Sequence, residues 1–375
     1  MTNFLLALAL GTTAASGDWD REYNAGKAAY RANDTAVAQR RLERAVSLAE
    51  QFAPPDARRA RAWNDLGAVL FARGAVNESA EAYARAIKEW RGSDDVSGMA
   101  ATLNNLSIAE RHRGRLDEAW RLAVRAMEIL EPVAAAPSQR ARIQQNMAEI
   151  ARLRGDLDTA EHALQAASPS DPRSRCHLLQ TRAAVAMDKG EYGGAARLAR
   201  EAIAVADGAF GAASVEAAGA RATTALALFR GGDPGQAEAL LLRAASIYET
   251  ELGDSHPRRA TVLNNLAQVY RTTGRLAEAE PLLRRAVAIW REHYGSAHPD
   301  VARGVKNLGD LFAQQGKVRG AEMLYREALP MAGRTPVRGE VADSLIRLLE
   351  SAHRGSEARR LRRELTESGV RTESR

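Results

Sequence analysis

Two stretches decide how this chain folds. One runs Leu103-Asn104-Asn105-Leu106-Ser107 and continues to Gly114-Arg115-Leu116-Asp117-Glu118-Ala119; the other runs Leu263-Asn264-Asn265-Leu266-Ala267 and continues to Gly274-Arg275-Leu276-Ala277-Glu278-Ala279. Their internal spacing is the same, which marks them as copies of one repeated unit. Extending the alignment outward gives four columns. The first is Gly26, Gly67, Ser107, Ala148, Ala183, Ala225, Ala267 and Gly309. The second is Asn33, Gly74, Gly114, Gly155, Gly190, Gly232, Gly274 and Gly316. The third is Ala38, Ser79, Ala119, Ala160, Ala195, Ala237, Ala279 and Ala321, and the fourth is alanine throughout, from Ala45 to Ala328.

Each column has a physical reason. The Gly74 column separates two helical patterns, where the chain turns through positive φ; glycine does so without steric cost and Asn33 is the best substitute. The other columns fall on apolar faces at helical spacing, where small side chains let antiparallel helices approach closely. Larger residues such as Leu66, Tyr83, Leu266 and Tyr325 fill the space between them. The steps along the turn column are 41, 40, 41, 35, 42, 42 and 42 residues. The connections Gly253-Asp254-Ser255-His256-Pro257 and Gly295-Ser296-Ala297-His298-Pro299 repeat as well. Proline there stops one helix and suits the first turn of the next, with Asp254 and Ser255 as expected capping residues.

The composition agrees with an all-α chain. Hydrophobic residues make up 45%, aromatics only 5%, and there are 12 prolines in 375 residues. The helix–turn–helix unit with its small, glycine, alanine, alanine columns resembles the tetratricopeptide repeat. The period near 42, the Leu-Asn-Asn-Leu opening and the Gly-x-x-His-Pro connections resemble the kinesin-light-chain-like subclass of that family. The resemblance covers residues 20–330, read as eight units, and implies a right-handed superhelical α-solenoid of tandem helix-turn-helix repeats. A degraded ninth unit or capping pair is expected over 331–366, with His353 at the glycine position, and a disordered tail over 367–375. Between Ala167 and Cys176 the sequence Ser168-Pro169-Ser170-Asp171-Pro172 breaks any helix and shortens the period. A shorter connection within one continuous solenoid is expected there; a sub-domain boundary is the alternative.

Repeats of this kind place the first helix of each unit on a concave inner surface. One polar column on that helix is Asn24, Asp65, Asn105, Asn146, Thr181, Thr223, Asn265 and Asn307, with Asn64, Asn104 and Asn264 preceding three of its members. An amide side chain both donates and accepts, so such a ladder suits the backbone of an extended peptide. Asparagines in this column commonly line the peptide groove in the family that the chain resembles. The other reading is that they hydrogen-bond between repeats and hold the stack. Arg61, Arg142 and Arg303 lie one turn before the column, Arg111, Arg152 and Arg271 lie beyond it, and Lys306 adjoins Asn307. These cations favour a peptide bearing carboxylates.

The expected partner is therefore a protein or extended peptide, with an acidic one favoured. The expected function is a non-catalytic binding scaffold. The alternative is a sensory or regulatory repeat protein whose effector enzyme or transcription factor is a separate chain. No phosphate loop, nucleophile elbow or metal-binding helix occurs, so no catalytic residue, metal or cofactor is assigned. Cys176 beside His177 does not make a nucleophile–base pair, because successive residues of a helix point apart. The net charge of +6, from 53 basic against 47 acidic residues, is interleaved along the helices, which argues against nucleic acid as the partner. Phe4 to Leu10 followed by Gly11 and Ala14-Ala15-Ser16 reads as a signal peptide over 1–16, hence export, or as an additional helix in a cytoplasmic protein. No segment reaches the ~18 apolar residues of a membrane span.

Overall fold

The computed structural model describes the backbone of residues 2–132, 137–169, 171–333 and 335–367, and side chains from residue 16 apart from 336, 366 and 367. Of the expected signal segment, side chains 1–15 are thus not described, and residues 368–375 of the expected tail lie outside the described residues. All regular structure among the described residues is helical, in two compact units, Met1–Arg154 and Gly155–Arg375. The division falls ahead of the proline-rich break that the sequence pointed to, in the turn before a short helix of ten residues.

The first unit contains α1 (Thr2–Arg31), α2 (Thr35–Ala49), α3 (Ala57–Ala72), α4 (Val76–Glu89), α5 (Val96–His112), α6 (Leu116–Leu130) and α7 (Pro137–Leu153). The second contains α8 (Leu157–Ala166), α9 (Pro172–Asp188), α10 (Tyr192–Phe210), α11 (Val215–Arg230), α12 (Pro234–Leu252) and α13 (Pro257–Thr272). It continues with α14 (Leu276–Tyr294), α15 (Pro299–Gln314), α16 (Val318–Met331), α17 (Pro336–Ser351) and α18 (Gly355–Glu367).

The turn column does what its chemistry requires. Gly74, Gly114, Gly155, Gly190, Gly232, Gly274 and Gly316 all have φ between 75° and 88°, and Asn33 and His353 take φ of 62° and 61° in the same role. The amide after the turn then donates back to a carbonyl of the first helix, as from Ala75 to Leu70 at 3.0 Å and from Arg275 to Tyr270 at 2.8 Å, closing the helix with a Schellman-type bond. The small-residue columns are buried: Ala38, Ala119, Ala160, Ala195, Ala237, Ala279 and Ala321 have no exposed surface. At Gly67 and Gly309 a Cβ would lie only 2.7 and 2.5 Å from the Tyr83 and Tyr325 rings, so the second helix packs an aromatic ring directly on the first helix's backbone.

First helices begin on side-chain caps from the connections. Asp95 accepts from the amide of Gly98 at 2.8 Å, and Asp171 from that of Ser174 at 2.9 Å. The Gly-x-x-His-Pro connections correct the expected assignment. His256, not Asp254 or Ser255, caps α13, its Nδ1 accepting from the Arg258 amide at 3.1 Å; His298 caps α15 by the same bond to Asp300. Asp254 is occupied by Arg259 at 2.5 Å and by Arg285. A proline at the first helical position places the residue before it at the cap, and here that residue is histidine.

Within each unit the first helices of successive repeats touch one another: α1 with α3, α3 with α5 and α5 with α7, then α9 with α11, α11 with α13, α13 with α15 and α15 with α17. The backbones of neighbouring second helices such as α2 and α4, or α12 and α14, do not approach in this way; α14 reaches α16 through long side chains, Arg291 to Glu327. Each stack is therefore closed on its first-helix side and splayed on the other, which makes the first-helix side the inner face of the curve.

Candidate functional site

Along this inner face the polar column is engaged between repeats. Asn105 donates through Nδ2 to Asn64 Oδ1 of the preceding repeat at 3.1 Å. Asn146 donates to Asn104 Oδ1 at 3.1 Å and to Ser107 Oγ at 2.9 Å. Asn307 donates to Asn264 Oδ1 at 2.7 Å, and the Thr223 hydroxyl reaches Gln180 Oε1 at 3.5 Å. At the N-terminal end the Tyr23 hydroxyl donates to Asp65 at 2.7 Å. The rule is common to all five: a column residue bonds to the side chain preceding the column in the repeat before it. The four amides Asn104, Asn146, Asn264 and Asn307 are buried, and a buried amide without a partner is costly. These bonds fix how far each first helix sits from the next. Asn24 is exposed, and Asn265 accepts only a 3.5 Å contact from Asn264 Nδ2.

The cations divide into two groups. Arg111 is half-buried, and desolvation lowers its pKa; it lies 3.9 Å from Glu149, which Arg152 holds at 3.1 Å. Lys306 pairs with Asp310 at 3.1 Å on the same helix. These charges brace the wall. Arg61 and Arg303 pair with Asp95 at 2.9 Å and Asp300 at 2.6 Å, but their side chains stay 51% and 42% exposed. Arg142 is exposed. Arg271 lines an inner-face cavity of about 510 Å³ with Arg347, Asp310 and Tyr325, where the Tyr325 hydroxyl donates to Asp310 at 2.8 Å.

A second cavity, of about 530 Å³, opens among α9, α11 and α13. Its lining includes Arg173, His177, Glu216, Tyr248 and Arg258, none of which the polar column pointed to. The sequence carried a signal for it. Where other repeats have Arg61, Arg142 or Arg303, α11 has Gly219; where others have Asn64, Asn104 or Asn264, it has Ala222. Two truncations one turn apart leave a hollow. Cys176 is fully buried beneath this region, with Gln180 Nε2 donating to its sulfur at 3.2 Å, while His177 faces the cavity. Among the described residues no group of three or more His, Cys, Asp or Glu side chains could hold a metal, and no helix is long and apolar enough to cross a membrane.

No curated protein matches the chain. Among solved structures, a Rap protein complexed with Competence and Sporulation Factor is similar over 94% of this chain and 97% of its own, with a TM-score of 0.59 at 14% identity. The Cut9–Hcn1 hetero-tetramer of the APC/C matches over 86% of this chain and 54% of its own, with a TM-score of 0.54 at 13% identity. Kinesin light chain TPR-like repeats from Podosopora anserina are 22% identical over 52% of this chain and 95% of theirs, with a TM-score of 0.44. At such identities the likeness is one of fold. The family model for the tetratricopeptide repeat matches residues 58–131, 98–172, 216–292 and 258–334, more than half of the sequence. With its turn glycines, small-residue columns and paired helices, the chain belongs to the tetratricopeptide repeat family.

Proposed function

We propose that the protein is a non-catalytic scaffold whose first-helix face receives an extended segment of a partner protein, preferentially one carrying carboxylates. The observation that carries this reading is the division of labour on that face. Buried amides hold adjacent first helices in register, while cations at the neighbouring turn, Arg61, Arg142 and Arg303, stay open to solvent. Packed helices recur about every 10 Å, close to the rise of three residues of extended chain. A partner in that conformation thus meets a new first helix about every three residues, and where that helix carries Arg61, Arg142 or Arg303 the guanidinium group is well shaped to take a carboxylate.

The test uses inner-face and outer-face charge reversals of the full chain. Arg142→Glu with Arg303→Glu alters the inner face of both units; Arg243→Glu with Arg284→Glu alters exposed residues of second helices. Proteins recovered from host lysate by each form are quantified by mass spectrometry, after circular dichroism confirms equal helicity. The inner-face variant should lose at least about tenfold of the partner recovered by wild type, as expected for one charge-assisted contact, and the outer-face variant should keep it. Equal recovery by all three forms refutes the assignment of the face.

A further inference from the structure

The cavity among α9, α11 and α13 has an unusual floor. Tyr248, near the end of α12, is 4% exposed, and its hydroxyl lies where a Cβ on Gly219 would come within 3.3 Å of it. Trp90 and Trp290 occupy the same position in their repeats and are buried; Trp90 satisfies its indole N–H on Thr102 at 2.9 Å, while the Trp290 N–H has no partner among the described residues and borders neither cavity. Tyr248 has no hydrogen-bond partner among the described residues and borders the cavity. Burial raises its pKa, so the hydroxyl keeps its proton and is a donor without an acceptor.

The rim is cationic. Arg173 pairs with Glu216 at 2.5 Å and lies over the Phe210 ring, so its charge is matched. Arg258, on the opposite side, has no carboxylate partner among the described residues. His177 is held below its usual pKa by burial first and then by Arg258 and Arg173, so it adds no charge near neutral pH. The lining is thus one positive charge in excess, above an unused phenol donor. Val215, Ala222 and Val262 supply apolar wall for a short aliphatic stem. A volume of about 530 Å³ has room for a carboxylate together with its stem and the adjoining peptide backbone.

We infer that this hollow is an anchor pocket for one acidic side chain, aspartate or glutamate, of the extended segment that the inner face binds; the inference rests on that reading. The carboxylate accepts from the Tyr248 hydroxyl and pairs with Arg258, while its methylene stem packs on the apolar wall. Specificity then resides where the repeat pattern lapses, at Gly219 and Ala222.

The probe is a positional-scanning library of decapeptides with amidated C-termini, so that side chains carry the only carboxylates. Pools with Asp or Glu fixed are compared with pools carrying Asn or Gln, against full-length wild type, Gly219→Leu, Arg258→Gln and Tyr248→Phe. Gly219→Leu fills the hollow and replaces a helical glycine by a better helix former, and circular dichroism of each variant checks that helicity is kept. Wild type should prefer the acidic pools at one position by about tenfold, the loss expected for one charge-assisted bond. Gly219→Leu and Arg258→Gln should reduce that ratio to about one, and Tyr248→Phe should lower it several-fold. Retention of peptides without an acidic preference, or a preference unchanged in Gly219→Leu, overturns the anchor and leaves the groove standing. A preference that appears only in a parallel library with free C-termini moves the carboxylate to the chain end and overturns the side-chain assignment. If wild type retains no pool above background, both readings fall.

Discussion

Replacing Gly309 by alanine tests the packing rule that generates the whole fold. Gly309 sits in α15 facing Tyr325 of α16, and an ideal Cβ there lies 2.5 Å from Cε1, 2.8 Å from Cδ1 and 3.1 Å from Cζ of the ring. Ordinary carbon contacts need about 3.5–4.0 Å, so the ring must retreat by roughly 1 Å. It has little freedom to do so, being 3% exposed and tied through its hydroxyl to Asp310 at 2.8 Å. Overpacking of this kind costs about 1–3 kcal/mol, and the pinned ring places it at the upper end. Alanine is favoured over glycine inside a helix by about 1 kcal/mol, which offsets part of that cost. Gly309→Ala should therefore destabilise by about 1–2 kcal/mol, against the usual direction for a helical glycine.

The remedy lies in the neighbouring repeat, where Ala267 and Leu283 occupy the equivalent positions and both are fully or nearly fully buried. Gly309→Ala with Tyr325→Leu copies that pairing, so the double variant should be more stable than the sum of its singles by at least about 1 kcal/mol. Urea unfolding followed by circular dichroism gives the four midpoints. Amide exchange in α15 and α16 localises the effect, because a repeat array need not unfold as one cooperative body. A stabilised Gly309→Ala, or additivity across the cycle, would refute the argument that ring-on-backbone contact selects glycine here.

Two further outcomes follow from the caps and the ladder. The His256 imidazole is pushed down to about 4, by burial first and then by Arg258 and His293, and His298 is lowered chiefly by burial. The unfolded chain titrates near 6.5, so it takes up protons first as pH falls. Cap stability of about 1 kcal/mol per helix is whole above about pH 6.5 and is lost as pH drops towards 4. His256→Asn with His298→Asn, which caps without titrating, should flatten that part of the pH dependence of the urea midpoint; an unchanged slope would count against imidazole capping. On the ladder, Asn307→Leu strands Asn264 Oδ1, a residue only 3% exposed, and should cost about 1–3 kcal/mol. Asn105→Leu should cost less than about 1 kcal/mol, because Asn64 Oδ1 also accepts from Thr102 at 3.2 Å. The reverse order in urea midpoints would contradict the pairing.

The repeat was legible because its constraints are local. A turn at positive φ and a backbone contact between antiparallel neighbours each restrict one residue type at one position, so Gly74 and Ala119 could be read without knowing what lies beside them. The caps needed more. Asp254 and Ser255 have the right chemistry, but the proline fixes the first helical position and hands the cap to His256. The ladder was visible as a column, yet a column has two readings until the register between helices is known. Structure pairs Asn146 with Asn104, one position off the column, and no comparison within a single repeat could have chosen that offset. The cavity escaped for the opposite reason. It is made by residues that break the pattern, and a search for recurrence passes over Gly219 and Ala222.

That contrast bears on where recognition can evolve in such a chain. Most recurrent residues are committed: the glycines to turns, the alanines to close approach, and asparagines such as Asn105, Asn146 and Asn307 to holding one first helix against the next. Altering any of them trades against the stack itself. Positions one turn away carry no such duty, so Arg61, Arg142, Gly219 and Arg303 can differ from repeat to repeat while the helices stay in place. The side chains that bond across the ladder keep the wall continuous beside the hollow, as Thr223 on Gln180 does at 3.5 Å, even where asparagine is absent. A pocket can therefore open by truncation without loosening the helices around it. In such a pocket a buried donor, an unmatched cation and free volume coincide.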